Sequence, residues 1–187
     1  MKLEFIIPSQ NKTQVLIIPT FEDQKLSEDF DAKAIKAYNY TGKSGQVVSF
    51  MMDGFLTYLF GIGKKSETSD DLFFQELGGK IAAFIKKLPQ TTVSVCACGF
   101  RKEKTQTATP AAHLAYGLGL GSYCFDEYKT EKQDTHTIQI VSKTALDDEK
   151  AFENLFAVMD GIYEARDLIS EPANMMSPAD FVEAVKE

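Results

Sequence analysis

Tryptophan is absent from the 187 residues, histidine occurs twice (His113 and His136), arginine twice (Arg101 and Arg166) and cysteine three times. Two histidines cannot furnish a histidine-based metal site unaided, and two arginines leave little for bidentate recognition of phosphate or carboxylate. An odd, sparse set of cysteines argues against a disulfide framework and fits a reducing compartment. No apolar run approaches the ~18 residues that would span a bilayer. The opening Met1-Lys2-Leu3-Glu4-Phe5 has an early acid and no apolar stretch before a small-residue cleavage site, so it does not read as a signal peptide. A cytoplasmic protein with no membrane partner is the expectation.

What is present suits a packed globular chain. Apolar residues make up 44% and charged residues 25%, with fourteen Phe and seven Tyr to fill a core. A chain of this size buries roughly 70% of the surface it exposes when unfolded, enough for one full domain without staples. The net charge of −7 is unevenly placed: residues 1–130 carry 15 basic and 14 acidic groups, whereas residues 131–187 carry 5 and 13, a net −8. A neutral first part and an acidic last part give no electrostatic case for nucleic acid.

Short β-branched runs and helical stripes alternate along the chain. Leu3–Pro8 and Thr13–Ile18 read as strands, the second buried on both faces because its apolar run is continuous. A weak helical signal covers Asp31–Tyr38, and Gly42-Lys43-Ser44-Gly45 breaks the chain. Gln46–Met51 and Phe55–Phe60 flank Asp53-Gly54, a hairpin signal. Ser69-Asp70-Asp71 opens a helix whose Phe74, Leu77, Ile81, Phe84, Ile85 and Leu88 recur at three- and four-residue spacing. Thr92–Cys98 is a further strand. Thr109-Pro110 supplies an N-cap and a proline at the first helical position for the Ala- and Gly-rich segment to Tyr123. Thr135–Val141 is the last strand. Residues 147–169 form the longest helix, with Asp147, Asp148 and Glu149 at its start. Ser177-Pro178 then begins another helix with only Phe181, Val182 and Val185 as apolar positions. About six strands interleaved with helices give an α/β or α+β layer domain over residues 1–145.

The residues that could carry chemistry each have a plainer structural reading. Gly61-Ile62-Gly63-Lys64-Lys65 follows a strand, where phosphate loops sit, yet it lacks the third glycine of a dinucleotide fingerprint and the Lys-Ser/Thr ending of a P-loop. It reads as a structural turn, and Gly117-Leu118-Gly119-Leu120-Gly121 as a packing seam. Cys96-Ala97-Cys98 puts both sulfurs on one strand face but is too tight for a zinc knuckle. His113 and His136 stand outside any triad motif and read as surface or satisfied core histidines. Arg101-Lys102-Glu103-Lys104 is a solvated basic loop, and Asp147-Asp148-Glu149 suits a helix start rather than a cation. On the residues alone no catalytic, cofactor-binding or metal-binding residue is assigned.

Three stretches together resemble the leucyl aminopeptidase family, the cytosolic metalloexopeptidases. Ala165-Arg166-Asp167-Leu168-Ile169-Ser170-Glu171-Pro172-Ala173-Asn174-Met175-Met176-Ser177-Pro178 is similar to the family's junction segment, an Ala-Arg-Asp-Leu run followed by Asn-x-Pro-x-Asn and Thr-Pro. Ser170 and Glu171 stand at the first two positions of the second run, and Ser177 replaces the usual Thr, a hydroxyl that can still cap the next helix. Gly117 to Lys129 resembles the family's glycine-bearing helix ending in Tyr-x-Phe-x-x-Tyr-Lys. Phe60 to Lys65 resembles the glycine turn after a central strand.

The resemblance implies a three-layer α/β, macro-domain-like amino-terminal domain at 1–145, with a central mixed sheet of about six strands. A linker helix at 146–170 and the truncated start of the catalytic domain at 171–187 would follow. It implies two divalent cations, Mn or Zn, in that catalytic domain, whose signature Asn-Thr-Asp-Ala-Glu-Gly-Arg-Leu does not occur here, and no cofactor within these residues. The implied partners are the chain's own catalytic domain, peptide substrates and five further copies in a hexamer. The implied activity of the full-length protein is leucine-preferring, metal-dependent removal of amino-terminal residues, with these residues non-catalytic. A stand-alone macro-like module that binds a nucleotide or ADP-ribose is the alternative, resting on Gly61–Lys65 and the basic loop at 101–104.

Overall fold

The computed structural model describes residues 2–11, 13–65, 70–100, 107–130, 136–184 and 186. Among these residues six strands form one sheet: β1 (Lys2–Ile6), β2 (Val15–Thr20), β3 (Val47–Met52), β4 (Phe55–Gly61), β5 (Thr92–Cys96) and β6 (Thr137–Val141). Their order is β1-β6-β5-β2-β4-β3, parallel throughout except for the edge strand β3. The hairpin that makes β3 antiparallel turns at Asp53 (φ 50°) and Gly54 (φ 85°), the left-handed pair of a tight two-residue turn. The sheet is therefore mixed, as read from the sequence. β2 begins two residues later than the Thr13–Ile18 strand read from the sequence, because Thr13 turns its hydroxyl to Ser94 at 2.6 Å instead of entering the ladder. Pairing of β2 with β5 ends at Ile17↔Val95, before Pro19, which has no N–H to give.

Among the described residues five α-helices accompany the sheet: α1 (Ala32–Ala37), α2 (Asp71–Ile85), α3 (Pro110–Ser122), α4 (Ala145–Ser170) and α5 (Pro178–Ala184). Helices α2, α3 and α4 lie on one face, over Val15, Ile17, Val93, Val95, Ile138 and Ile140. On the other face α1 and the chain before it cover Val48, Phe50 and Leu59 of the β3–β4 end. The rest of that face carries Glu4, Gln139 and Ser94, and the β1–β2 connection runs across it. Since β1 and β2 are parallel with two strands between them, residues 7–14 must return diagonally. A strand length of ~17 Å and three strand spacings of ~14 Å need about 22 Å, within the ~26–29 Å that eight extended residues reach. Asn11 Oδ1 accepts from Ser94 Oγ at 2.9 Å and fixes this crossing.

Helix α3 is buried on every side from Pro110 through Gly119. That explains its all-round apolar sequence. Its glycines serve two neighbours. A Cβ on Gly117 would fall 1.9 Å from Gln75 O, and one on Gly121 3.0 Å from Ala82 Cβ, so both face α2. A Cβ on Gly119 would meet Met159 Sδ at 2.1 Å, so that position faces α4. Gly78 of α2 answers Gly117, its own Cβ position being 2.4 Å from Leu114 O, whereas Gly79 has nothing within 4 Å. Only the first of the Gly78-Gly79 pair is thus required for close packing by what it would touch.

Candidate functional site

Parallel α/β sheets bind ligands beyond the carboxyl ends of their strands. There Gly61-Ile62-Gly63 has its amides committed. Gly61 N donates to Gln46 O at 2.8 Å, Ile62 N to Thr20 O at 3.0 Å and Gly63 N to Gly42 O at 3.0 Å. A Cβ on Gly61 would lie 2.2 Å from Lys43 O, so the glycine admits the neighbouring backbone and not a phosphate. Lys65 N donates to Asp23 Oδ1 at 3.3 Å. The basic segment Arg101–Lys104 lies outside the described residues.

At the same edge Asp148 is buried, unlike the exposed first-turn acid its sequence position suggests. Its carboxylate accepts from Ser142 Oγ and, at 3.0 Å, from Thr144 Oγ1, tying β6 to the start of α4. Cys96 closes β5, and Cys98 follows in the turn, so the two do not continue as one strand. Cys98 Sγ lies 3.4 Å from Val141 O.

His113, in the first turn of α3, is 1% exposed and has a carboxylate beside it that no local sequence signal announced, Asp71 lying 42 positions away. Its Nε2 is 3.0 Å from Asp71 Oδ1, 3.3 Å from Thr107 Oγ1 and 3.3 Å from Ala108 N, while Nδ1 is 3.1 Å from Gln75 Nε2. A hydrolytic triad needs its carboxylate on one ring nitrogen and its nucleophile on the other. Here both approach Nε2, and the Thr107 hydroxyl instead donates to Asp71 Oδ2 at 2.7 Å. The cluster ties the start of α2 to the start of α3. His136 stands apart, before β6 at the opposite end of the sheet.

The segments 117–129 and 165–178, 48 positions apart at their starts, meet in space along α3 and α4. Arg166 Nη1 donates to Leu120 O at 3.1 Å, and its guanidinium sits 5.2 Å over the Tyr123 ring. Tyr123 OH donates to Asp167 Oδ1 at 2.7 Å, Tyr128 OH to Glu171 and Tyr163 OH to Gly119 O. Burial pushes the Tyr163 phenol above the ordinary tyrosine value. Arg166, one of two arginines in the chain, thus holds the end of α3 against α4. Beyond this seam Ile169 (83% exposed), Met175, Phe181 and Val182 present apolar side chains to solvent.

Among the described residues no three His, Cys, Asp or Glu side chains converge where they could hold a cation. The described residues therefore do not fit a paired-metal centre, which requires several converging carboxylates. No described helix is long and apolar enough to cross a membrane.

Comparison with known proteins places this arrangement. The model of the amino-terminal domain of the cytosol aminopeptidase family matches residues 17–132. A probable cytosol aminopeptidase of Sinorhizobium medicae is 31% identical over 168 residues, covering 83% of this chain and 33% of that protein. A tomato leucine aminopeptidase variant shares the fold at a TM-score of 0.77 and 22% identity, over 100% of this chain and 41% of its own. A cytosol aminopeptidase from Coxiella burnetii does so at 0.63 and 21%, over 97% and 36%. The chain spans about a third of the length of the curated relatives it matches, 33% in the first case.

Proposed function

The chain belongs to the cytosol aminopeptidase family, and from that premise we propose that it is the non-catalytic, architectural part of a metal-dependent aminopeptidase. The observation that carries this reading is the seam of Arg166, Asp167, Tyr123 and Tyr128. It spends the most distinctive polar residues on docking α4 rather than on a reactive centre. Helix α4 then acts as a rigid spacer of ~39 Å from 26 residues. Its exposed end and α5 offer Ile169, Phe181 and Val182 to whatever follows. The two divalent cations, Mn or Zn, and the groups that activate water belong in this reading to the portion that the relatives have and these residues lack. No hydrolytic step is assigned to the residues described. Leucine-like preference, hexameric assembly and a cytoplasmic location complete the proposal for the full-length protein.

The test is to read the coding sequence past residue 187 and to express the whole product. The reading expects an open frame carrying the Asn-Thr-Asp-Ala-Glu-Gly-Arg-Leu signature, and release of amino-terminal leucine that a chelator abolishes. A frame that closes near Glu187, or an extended product that is inert with Mn and Zn, would sink it.

A further inference from the structure

The two edges of the sheet are finished differently. Charged side chains, prolines and bulges are the usual guards of a free edge. β1 has the charges, Lys2 pairing with Glu4 at 2.7 Å. β3 has none of the three. Val47-Val48-Ser49-Phe50-Met51-Met52 is uncharged and without proline, and its register with β4 runs unbroken from Val47↔Phe60 to Met52↔Phe55. The ladder also fixes which backbone groups face outward. Gly61 N donates to Gln46 O at 2.8 Å, so Gln46, Val48, Phe50 and Met52 are the residues that bond to β4. Val47, Ser49 and Met51 therefore turn their N–H and C=O groups away from the sheet. None of these groups has a hydrogen-bond partner among the described residues. The three side chains share one face of the strand, on which Ser49 is exposed and Met51 is 64% exposed.

We propose that β3 is a pairing edge for a second copy of this chain, the two strands running antiparallel about a two-fold axis at Ser49 and joining two sheets into one. The strand is complementary to itself in this register. Ser49 faces the second copy's Ser49, and on each side of the axis Val47 faces the other copy's Met51. All of these are outward-facing residues, so the three pairs exchange about six hydrogen bonds. Shifting the axis to Val48 or Phe50 sets Met51 opposite Gly45, or Val47 opposite Asp53, beyond the end of the strand. Only about four bonds then remain.

The side chains agree with the backbone. On the open face the exposed Met51 gains the second copy's Val47, and two serine hydroxyls meet at the centre, both favourable cross-strand pairs. No like charges oppose each other along the strand, because it carries none. Only residues of this chain take part. The pairing therefore needs neither a metal nor the portion that the relatives add, and its failure would leave the aminopeptidase reading standing.

Ser49→Lys and Ser49→Glu test the register as well as the contact. The side chain is exposed and the residue's backbone groups point away from β4, so neither change touches the β3–β4 ladder. Across the axis, however, two like charges would stand on Cα atoms about 5.5 Å apart. Sedimentation velocity over a concentration series reads the mass. The expected result is a native chain whose average mass climbs toward two-fold, while each variant alone stays at the mass of one chain. An equal mixture of the two variants should regain the doubled mass, since lysine then faces glutamate. Hydrogen exchange should show the amides of Val47, Ser49 and Met51 slowing as the native chain is concentrated, with Val48 and Phe50 unchanged. If circular dichroism finds either variant unfolded, Ser49→Pro replaces it, removing one outward N–H and none that β4 uses. A native chain of single mass at every concentration, a dimer that survives Ser49→Lys, or a mixture that stays single would overturn the proposal. So would a native chain that stays single while an alternating valine–threonine peptide slows the same amides, because the edge would then serve a foreign strand.

Discussion

Single atoms at glycines decide how closely α2 and α3 approach. Gly117→Ala would place a methyl group 1.9 Å from Gln75 O, a backbone atom that cannot swing aside. The helices must separate, at a cost of about 1–3 kcal/mol. Gly79→Ala meets nothing within 4 Å and should add about 0.5–1 kcal/mol by helix propensity alone. Urea midpoints moving in opposite directions for the two variants would check this; equal shifts would contradict it. Tyr40 supplies a second prediction at this scale. Burial raises its phenol above the ordinary value, partly opposed by its hydrogen bond with Thr20. The folded chain keeps that proton when the unfolded chain has lost it. The contribution is therefore whole below about pH 10 and disappears as pH climbs through the higher folded value. Tyr40→Phe should flatten the alkaline fall of the urea midpoint, with Tyr163, whose phenol burial also raises, supplying a fall that persists. At this scale the sequence was least legible. The glycine runs could be read as packing seams, but which glycine faces which helix depends on a rotation that spacing alone does not fix. The Asp71–His113 and Cys98–Val141 contacts join positions more than forty residues apart and leave no local trace.

Helix α4 is the element on which the functional reading turns. Phe152 and Met159 are buried along its first two thirds, and its last turns are held by polar contacts to α3. Arg166→Ala removes both the bond to Leu120 O and the cover over Tyr123, a loss of about 1–2 kcal/mol. The loss should show as faster amide exchange across residues 163–170 with the sheet unaffected. Unchanged exchange there would mean the seam is incidental. Elements of this kind were legible because periodicity and caps are local. Thr109 accepts from Ala112 N as its N-cap, Asp70 accepts from Phe73 N, and Asp53-Gly54 makes the hairpin it signals. Ends were less legible where a side chain is taken by a distant partner, as with Thr13 at Ser94 and Cys98 in its turn.

In the whole molecule, strand order is the property no local pattern contains. The return of residues 7–14 across the polar half of the sheet explains why Glu4, Ser94 and Gln139 face away from the helices. It also lets β1 lie at the far edge while β2 sits near the centre. The family was legible because its motifs at 117–129 and 165–178 are local in sequence, and in the fold they are two sides of one seam. Among the described residues no cation-binding cluster comes together. The most direct test is to incubate the chain with a leucine anilide and saturating Mn or Zn and follow anilide release. The account predicts release no faster than the metal alone produces. Turnover proportional to chain concentration and abolished by a chelator would contradict it.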